Sequence, residues 1–425
     1  MNVRRSAAAL AASAVLCVVA APAAFAAPSP SPAPVIPSGL YGKNDPTYDG
    51  VWRQSLAFLA QHTAGLRPAG QAVDWLAGQQ CADGSFAAFR ADASKACDAK
   101  TMADSNATAA AVQALAAVGG REATVKKAVG WLKSVQNEDG GWAYSPGPGA
   151  PSDANSTAIV AGALAAAGEK PDAVKSKGGK TSYDALTVLQ LACEQKGVST
   201  AADMGAFAYQ PDKAGKLPAN ADATAAAALG VLGKGLVVEA PKADVPIASK
   251  PVACKRGPQD AAQSAMGAAD YLATTMAKTG DHLMSAMPGA TDQPDYGNTA
   301  DAVVALAAGG HKAAAAKPLA WLEKNHGAWA KTAGPAGYAQ LILAAHAAGA
   351  DPKAFGGTDL VAQLNAQGPE ASPVTGTSGD ANDAREEKKD DSSGNQNIVW
   401  IVGAGAVAGI GIGILLSGRR KKQQP

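Results

Sequence analysis

The chain of 425 residues carries 37 basic and 36 acidic side chains, a formal charge of +1, and only 7 Trp, 8 Tyr and 6 Phe. That length suffices for one large domain or two ordinary ones, and a charge so close to balance excludes a phosphate-gathering surface, so no nucleic acid is expected as a partner. Alanine carries much of the 47% hydrophobic content while aromatics make up 5%, which points to closely packed helices rather than to a sheet.

Arg4 and Arg5, the apolar stretch from Ala7 to Ala21 and the triplet Ala24, Phe25, Ala26 have the layout of a secretory signal peptide over 1–26, cleaved before Ala27. A Pro/Ser-rich spacer, 27–45, follows. Apolar residues recurring at three and four, broken by Gly or Pro, predict helices at 49–64, 68–80, 104–118, 121–137, 154–167, 181–196, 220–234, 259–279, 297–309, 311–326, 334–349 and 357–367. They make six hairpins within one domain, 46–367. Residues 368–396 are rich in Pro, Ser, Gly, Asp, Glu and Lys, a composition that cannot offset its ordering entropy, and are expected to form a disordered stalk. Within a predicted transmembrane helix, 397–417, the uncharged run Ile398 to Leu416 can just cross the ~30 Å hydrocarbon core. Trp400 would lie at one interface, and the basic tail 418–425, with Arg419, Arg420, Lys421 and Lys422, on the cytoplasmic side. The expectation is an exported, single-pass cell-membrane protein whose body stands outside the cell, with the membrane as a partner through its C-terminal helix.

The body repeats. Asp-x-Asn-x-Thr-Ala opens an alanine-rich run at Asp104, Asn106, Thr108, Ala109 and again at Asp153, Asn155, Thr157, Ala158. Looser copies are Asn220, Asp222, Thr224, Ala225 and Asp295, Gly297, Thr299, Ala300. Each begins with helix-capping residues and ends near Gly119, Gly168, Gly233 or Gly309, so four related helices are expected. Alternating with them is Trp-Leu followed by a Gly-aromatic turn: Trp75, Leu76, Gln79, Asp83, Gly84, Phe86, then Trp131, Leu132, Gln136, Asp139, Gly140, Trp142. Partial copies are Gly205 with Phe207, and Trp321, Leu322, Gly327, Trp329. The aromatic steps are roughly 56, 65 and 122 residues apart, which implies a degenerate copy near His282 and a period near 60. Such hairpins cannot bury an apolar face alone and must stack, slim alanine helices inside and Trp-Leu helices outside.

These motifs resemble the prenyltransferase and squalene-cyclase repeat of the terpenoid-cyclase-type (α/α)6 toroid, over about Tyr48 to Gln367. The resemblance implies an all-α fold. It does not imply one function, since such toroids serve as cyclases, zinc prenyltransferases, thioester domains and the helical domain of intrinsic factor and transcobalamin. The Asp-x-Asp-Asp acid of a class II cyclase is missing, the sole Asp-Asp pair being Asp390 and Asp391 in the stalk. His62, His282, His311, His326 and His346 show no zinc-ligand spacing with Cys and Asp, so no metal is expected. Cys193 and Gln195 stand too close for a thioester of the complement type.

Four cysteines remain after signal removal, and three pairings are open. Cys81 with Cys97 and Cys193 with Cys254 are favoured because each closes a local loop. No catalytic residue is assigned. The expected ligand-binding surface is the mouth where inner-helix N-termini meet, with Asp104, Asn106, Thr108, Asp153, Asn155, Thr157, Asp222, Thr224, Asn298 and Thr299. Asp83 to Phe86 and the Thr-Ala helices are similar to the intrinsic-factor and transcobalamin helical domain. The leading expectation is accordingly a non-enzymatic surface-binding protein that captures a corrinoid or similar cofactor, or a protein partner. It would work with an uptake transporter or a separate β-domain protein. The alternatives are an enzyme using mouth carboxylates, Asp295 with Asp104, Asp153 and Asp222, on an envelope glycan or lipid-linked substrate, and a structural envelope protein.

Overall fold

The computed structural model describes residues 35–193, 199–247, 260–286 and 292–374. Of the unit Met1–Val35 only Val35 is among them, and the elements named below belong to the second compact unit, Ile36–Pro425. The expected signal peptide, membrane helix and basic tail, most of the stalk and Cys254 lie outside the described residues. Among the described residues no helix is long and apolar enough to cross a membrane.

Among those residues stand twelve α-helices: α1 (Gly50–Thr63), α2 (Gly70–Gly78), α3 (Ser105–Val118), α4 (Glu122–Ser134), α5 (Ala154–Ala166), α6 (Ser182–Thr187), α7 (Ala221–Val231), α8 (Ala261–Lys278), α9 (Tyr296–Ala308), α10 (Lys312–Asn325), α11 (Gly327–Ala348) and α12 (Leu360–Asn365). Helix α1 packs on α3, α3 on α5, α5 on α7, α7 on α9, α9 on α11, and α11 back on α1. Each even-numbered helix touches the two ring helices that flank it in the chain, α12 joining α11 to α1. The molecule is therefore the expected α/α toroid, six helices within six. Two short antiparallel pairs complete it: β1 (Leu66–Arg67) with β4 (Ser372–Pro373), and β2 (Leu283–Met284) with β3 (Pro294–Asp295).

Side-chain size sorts the two layers. Beyond its polar first turn helix α5 is apolar all round, and it is buried from Ala154 through Leu164, as a helix enclosed by others must be. Helix α4 buries Val125, Ala128, Val129, Trp131 and Leu132 and turns Glu122, Lys126 and Lys133 to water. Small residues set the approach of ring helices: a Cβ on Gly230 would stand 2.7 Å from both Ala158 Cβ and Leu186 Cδ1.

The threonine of each repeat is a staple. The backbone N–H groups of Phe86, Trp142 and Phe207 donate to Thr108, Thr157 and Thr224 Oγ1 at 2.9, 3.0 and 2.8 Å. Leu283 donates likewise to Thr299, at 3.0 Å. The degenerate copy near His282 is thus present, with an aliphatic residue in the aromatic place. The turn glycines are obligatory: at Gly140 φ is +91° and a Cβ would lie 2.2 Å from Thr181 O.

Three expectations change. Gly327 to Trp329 is not a Gly-aromatic turn but the first turn of α11, which kinks at Gly334 (φ 64°) before Pro335. The helix expected at 181–196 ends at Thr187, because the chain becomes extended to pair Leu189 and Leu191 with Ala208 and Ala206. The fold also begins before residue 46. Gly39-Leu40-Tyr41 is a further Gly-x-aromatic turn, Gly39 packing on Gln71 of α2 as Gly84 packs on Lys127 of α4. Buried Tyr41 donates through its hydroxyl to the Pro369 carbonyl and Gly42 N–H to the Gln367 carbonyl at 2.9 Å, which closes the ring.

After α7 the chain runs as a strap over the C-terminal ends of the ring helices. Leu236 N–H donates to Gln113 Oε1 of α3, Lys234 Nζ to the Ala308 carbonyl of α9 at 2.7 Å, and Glu239 meets His346 of α11 at 3.2 Å. Leu236, Val237 and Val238 are buried beneath it. The opposite end remains for a ligand.

Cys81 and Cys97 form a disulfide with a sequence separation of 16. Cys193 is also disulfide-bonded, and its favoured partner Cys254 lies outside the described residues. In the loop-closure picture a loop of this length contributes about 3 kcal/mol. The Cys81→Ser/Cys97→Ser double variant is expected to lose up to about that much unfolding free energy in urea titrations.

Candidate active site

An outer helix returns the chain between consecutive ring helices, so all ring helices start at one end. Their N-caps hold acidic groups there because the first turn leaves N–H donors unpaired. Asp104 accepts from Asn106 and Ala107 N–H at 2.8 and 2.9 Å. Asp153 accepts from Ser156 N–H at 2.7 Å and Asp295 from Asn298 N–H at 3.0 Å. On α7 the cap is Asn220, accepting from Ala223 N–H at 2.9 Å. That frees Asp222, two residues on, from capping. Its Oδ2 instead accepts from Asn155 Nδ2 of α5 at 2.7 Å.

These carboxyls are taken out of water. Burial raises the pKa of Asp104 to about 6 in spite of its backbone donors and the Tyr144 hydroxyl. Burial also raises Asp153, against bonds from Ser156 and the Tyr209 hydroxyl. Asp222 is pushed up to about 7, by burial first and then by the neighbouring Asp295 and Asp153 charges. Tyr144 and Tyr209 are raised in turn, by burial and then by the carboxylates they face. Around the mouth, four amide and carboxyl oxygens out of contact with water have no hydrogen-bond partner, Asn106 Oδ1, Asn155 Oδ1, Asp222 Oδ1 and Asn298 Oδ1, and the Ser105 hydroxyl in the first turn of α3 is likewise unpartnered. At the start of α1, buried Arg53 takes the place of the threonine, bonds Asp49 at 3.1 Å and the Asn44 carbonyl at 2.9 Å, and leaves Nε unpartnered.

The ten residues expected at the mouth therefore divide. Asp104, Asn106, Asp153, Asn155, Asp222 and Asn298 do meet at one end. Thr108, Thr157, Thr224 and Thr299 are fully buried and occupied by the turn staples, so they offer nothing to a ligand. Tyr144, Tyr209 and Arg53 are additions. The two tyrosines had a signal in aromatic-Ala-Tyr, which occurs at Trp142-Ala143-Tyr144 and Phe207-Ala208-Tyr209. Each reaches back one repeat: Ser105 N–H donates to the Tyr144 carbonyl and Ala154 N–H to the Tyr209 carbonyl, both at 3.0 Å.

Among the described residues no group of three or more His, Cys, Asp or Glu is placed to hold a metal ion. An outer groove of about 490 Å³ between α4 and the ends of α3 and α5 carries the Lys133–Glu169 pair at 2.5 Å. None of its lining residues leaves a buried polar atom unpartnered, which separates it from the mouth.

The raised carboxyl pKa values fix a sign for pH dependence. Asp104 and Asp222 bind protons more tightly folded than unfolded, so their destabilising contribution is absent below about pH 4 and complete above about pH 7. The thermal midpoint is expected to rise as pH falls from 7.5 to 5. Asp222→Asn should flatten that slope, whereas an unchanged slope would show that its carboxyl is not held protonated.

No protein-family model and no curated protein matches the chain. Similar solved structures include the type II terpene cyclase MstE from Scytonema, 16% identical over 67% of this chain and 72% of that one, TM-score 0.41. A form of the same cyclase in complex with geranylgeranyl dihydroxybenzoate has the same identity and coverage with a TM-score of 0.39. A protein from Actinoplanes is 14% identical over 74% of this chain and 95% of its own, TM-score 0.45. At such values the ring stands on its own helix contacts. The expectation of a non-enzymatic corrinoid-binding protein is corrected here: in place of an open polar rim the mouth presents carboxyls whose pKa burial raises, Asp104 to about 6 and Asp222 to about 7.

Proposed function

We propose that this protein is an acid–base enzyme of the cell envelope, acting with the carboxyls of the toroid mouth on a glycan or lipid-linked substrate outside the membrane. The observation that carries this reading is Asp222. It is the one mouth carboxyl of α3, α5, α7 and α9 not used as a cap, its pKa lies near 7, and Oδ1 is unpartnered while Asn155 holds Oδ2. A carboxylic acid so placed can give its proton to a leaving oxygen at neutral pH. Asp153, one helix away and hydrogen-bonded by Tyr209, is the ionisable partner that would take a proton from the incoming group. The signal-peptide and membrane-helix patterns at 1–26 and 397–417 support the envelope as the place of work.

The test is turnover of envelope glycan and lipid-linked fractions by the full-length protein as a function of pH. Activity should fall as pH rises through about 7, where Asp222 loses its proton. A rate that climbs through that range, or no turnover of either fraction, would remove Asp222 as the acid.

A further inference from the structure

The mouth also narrows the chemical class of what it holds. Asn106 and Asn155 are each only 5% exposed, yet each leaves Oδ1 unpartnered. The amide orientations of Asn155 and Asn298 are set by their Nδ2 groups, which donate to Asp222 at 2.7 Å and to Asp295 at 2.8 Å, so the atoms left over are oxygens. With Asn106 Oδ1 these form an arc of acceptors from α3 to α9, joined on α7 by Asp222 Oδ1, which donates when the acid is protonated. A hydrocarbon chain seated there would leave every one unsatisfied, at about 1–3 kcal/mol each. An anionic group would face four N-terminal carboxyls, Asp104, Asp153, Asp222 and Asp295. A metal ion would have to share the same end with the buried Arg53 guanidinium, whose unpartnered Nε is a donor. Hydroxyl groups, which donate to the oxygens and accept from Arg53, suit all of these at once.

Beside Asn298 the mouth turns aromatic. His282, Trp321, Tyr296 and Trp329 form a ladder with ring centroids 4.3, 4.9 and 5.5 Å apart in that order, each ring half-buried. Where three other ring helices place Asn106, Asn155 and Asp222, helix α9 has Gly297. A Cβ there would lie 3.7 Å from Trp329 and 3.5 Å from Gln340 Nε2, ordinary contact distances. The absence of that side chain leaves the Trp329 edge without a Cβ against it, and the residue that follows, Asn298, carries an unpartnered amide oxygen.

We infer that the mouth binds the neutral, polyhydroxylated sugar rings of its substrate, with the acceptor arc taking the hydroxyls and the Trp329 end of the ladder taking a sugar's C–H face. This deepens the acid–base reading and rests on it for the mouth being the reacting site.

The experiment titrates the full-length protein with the tetrasaccharides of N-acetylglucosamine, glucose and mannose, and separately with farnesol, by calorimetry and tryptophan fluorescence. At least one tetrasaccharide should bind. Gly297→Asn, which restores the side chain found at Asn106 and Asn155 and whose Cβ meets only ordinary contacts, should weaken that binding at least tenfold without lowering the thermal midpoint. Trp329→Leu should do the same. Asp222→Asn keeps the oxygen that accepts from Asn155 Nδ2 and leaves the Asn106, Asn155 and Asn298 oxygens in place, so it should bind the sugar while turnover is lost, which separates this inference from the acid–base reading. The inference is overturned if farnesol binds and no tetrasaccharide does, if none of the probes binds, or if sugar binding survives both the Gly297 and Trp329 variants.

Discussion

Asp222→Asn is expected to lower turnover by about 10²- to 10⁴-fold while leaving the protein as stable as the parent, or more so. The side chains are nearly isosteric, and the asparagine oxygen can still accept from Asn155 Nδ2 where Oδ2 accepts now, at 2.7 Å. What vanishes is the proton on the unpartnered oxygen, Oδ1. Removing a general acid costs the barrier about 3–5 kcal/mol by the usual rate relation. Stability moves the other way, because the carboxyl carries a desolvation cost that an amide lacks, and that cost is greatest above pH 7, where the parent must ionise. The paired measurement is turnover at pH 6 and thermal midpoint at pH 8. A variant that is both active and less stable would mean that Asp222 is a structural hydrogen-bond partner of Asn155 and nothing more.

Trp142→Ala should be the most damaging single change to the scaffold, at about 3–5 kcal/mol. The indole is wholly buried, its Nε1 donates to the Leu132 carbonyl at 2.7 Å, and its backbone N–H is the one held by Thr157. Truncation leaves a cavity where outer helix α4 turns into ring helix α5, two residues from Tyr144 and eleven from Asp153. Trp142→Leu should cost less, since Leu283 fills the equivalent place before α9. Urea denaturation of the two variants gives the comparison; equal losses would mean that the indole hydrogen bond, not volume, dominates the site.

The layers were legible because they follow from side-chain size. Alanine runs opening on Asp or Asn became the ring, Trp-Leu runs became the outer helices, and the capping reading of Asp104, Asp153 and Asp295 holds atom by atom. What escaped notice needed three dimensions. Tyr41 is a repeat aromatic displaced to the front of the chain, so its partners are residues 367 to 369 rather than its neighbours. Threonines that read as a polar rim are consumed by turns, because Asp-x-Asn-x-Thr puts the threonine one helical turn inside the cap. The same spacing makes position 222 different from 104 and 153: with Asn220 as the cap, the carboxyl moves two residues inward and loses its backbone donors. Nothing local in the sequence marks the strap, since its contacts with Gln113 and His346 span more than a hundred residues.

The seam at Tyr41 has a consequence for how the molecule is made. The circle cannot shut until α11 has been made to meet α1, and the Tyr41 hydroxyl waits longer still, for the carbonyl of Pro369, 328 positions later in the chain. Through that interval the first hairpin has only one lateral neighbour, and the alanine-lined inner faces stay open to whatever they meet. A nascent chain halted before α11 would resemble a horseshoe with two sticky ends, and two such chains could complete each other.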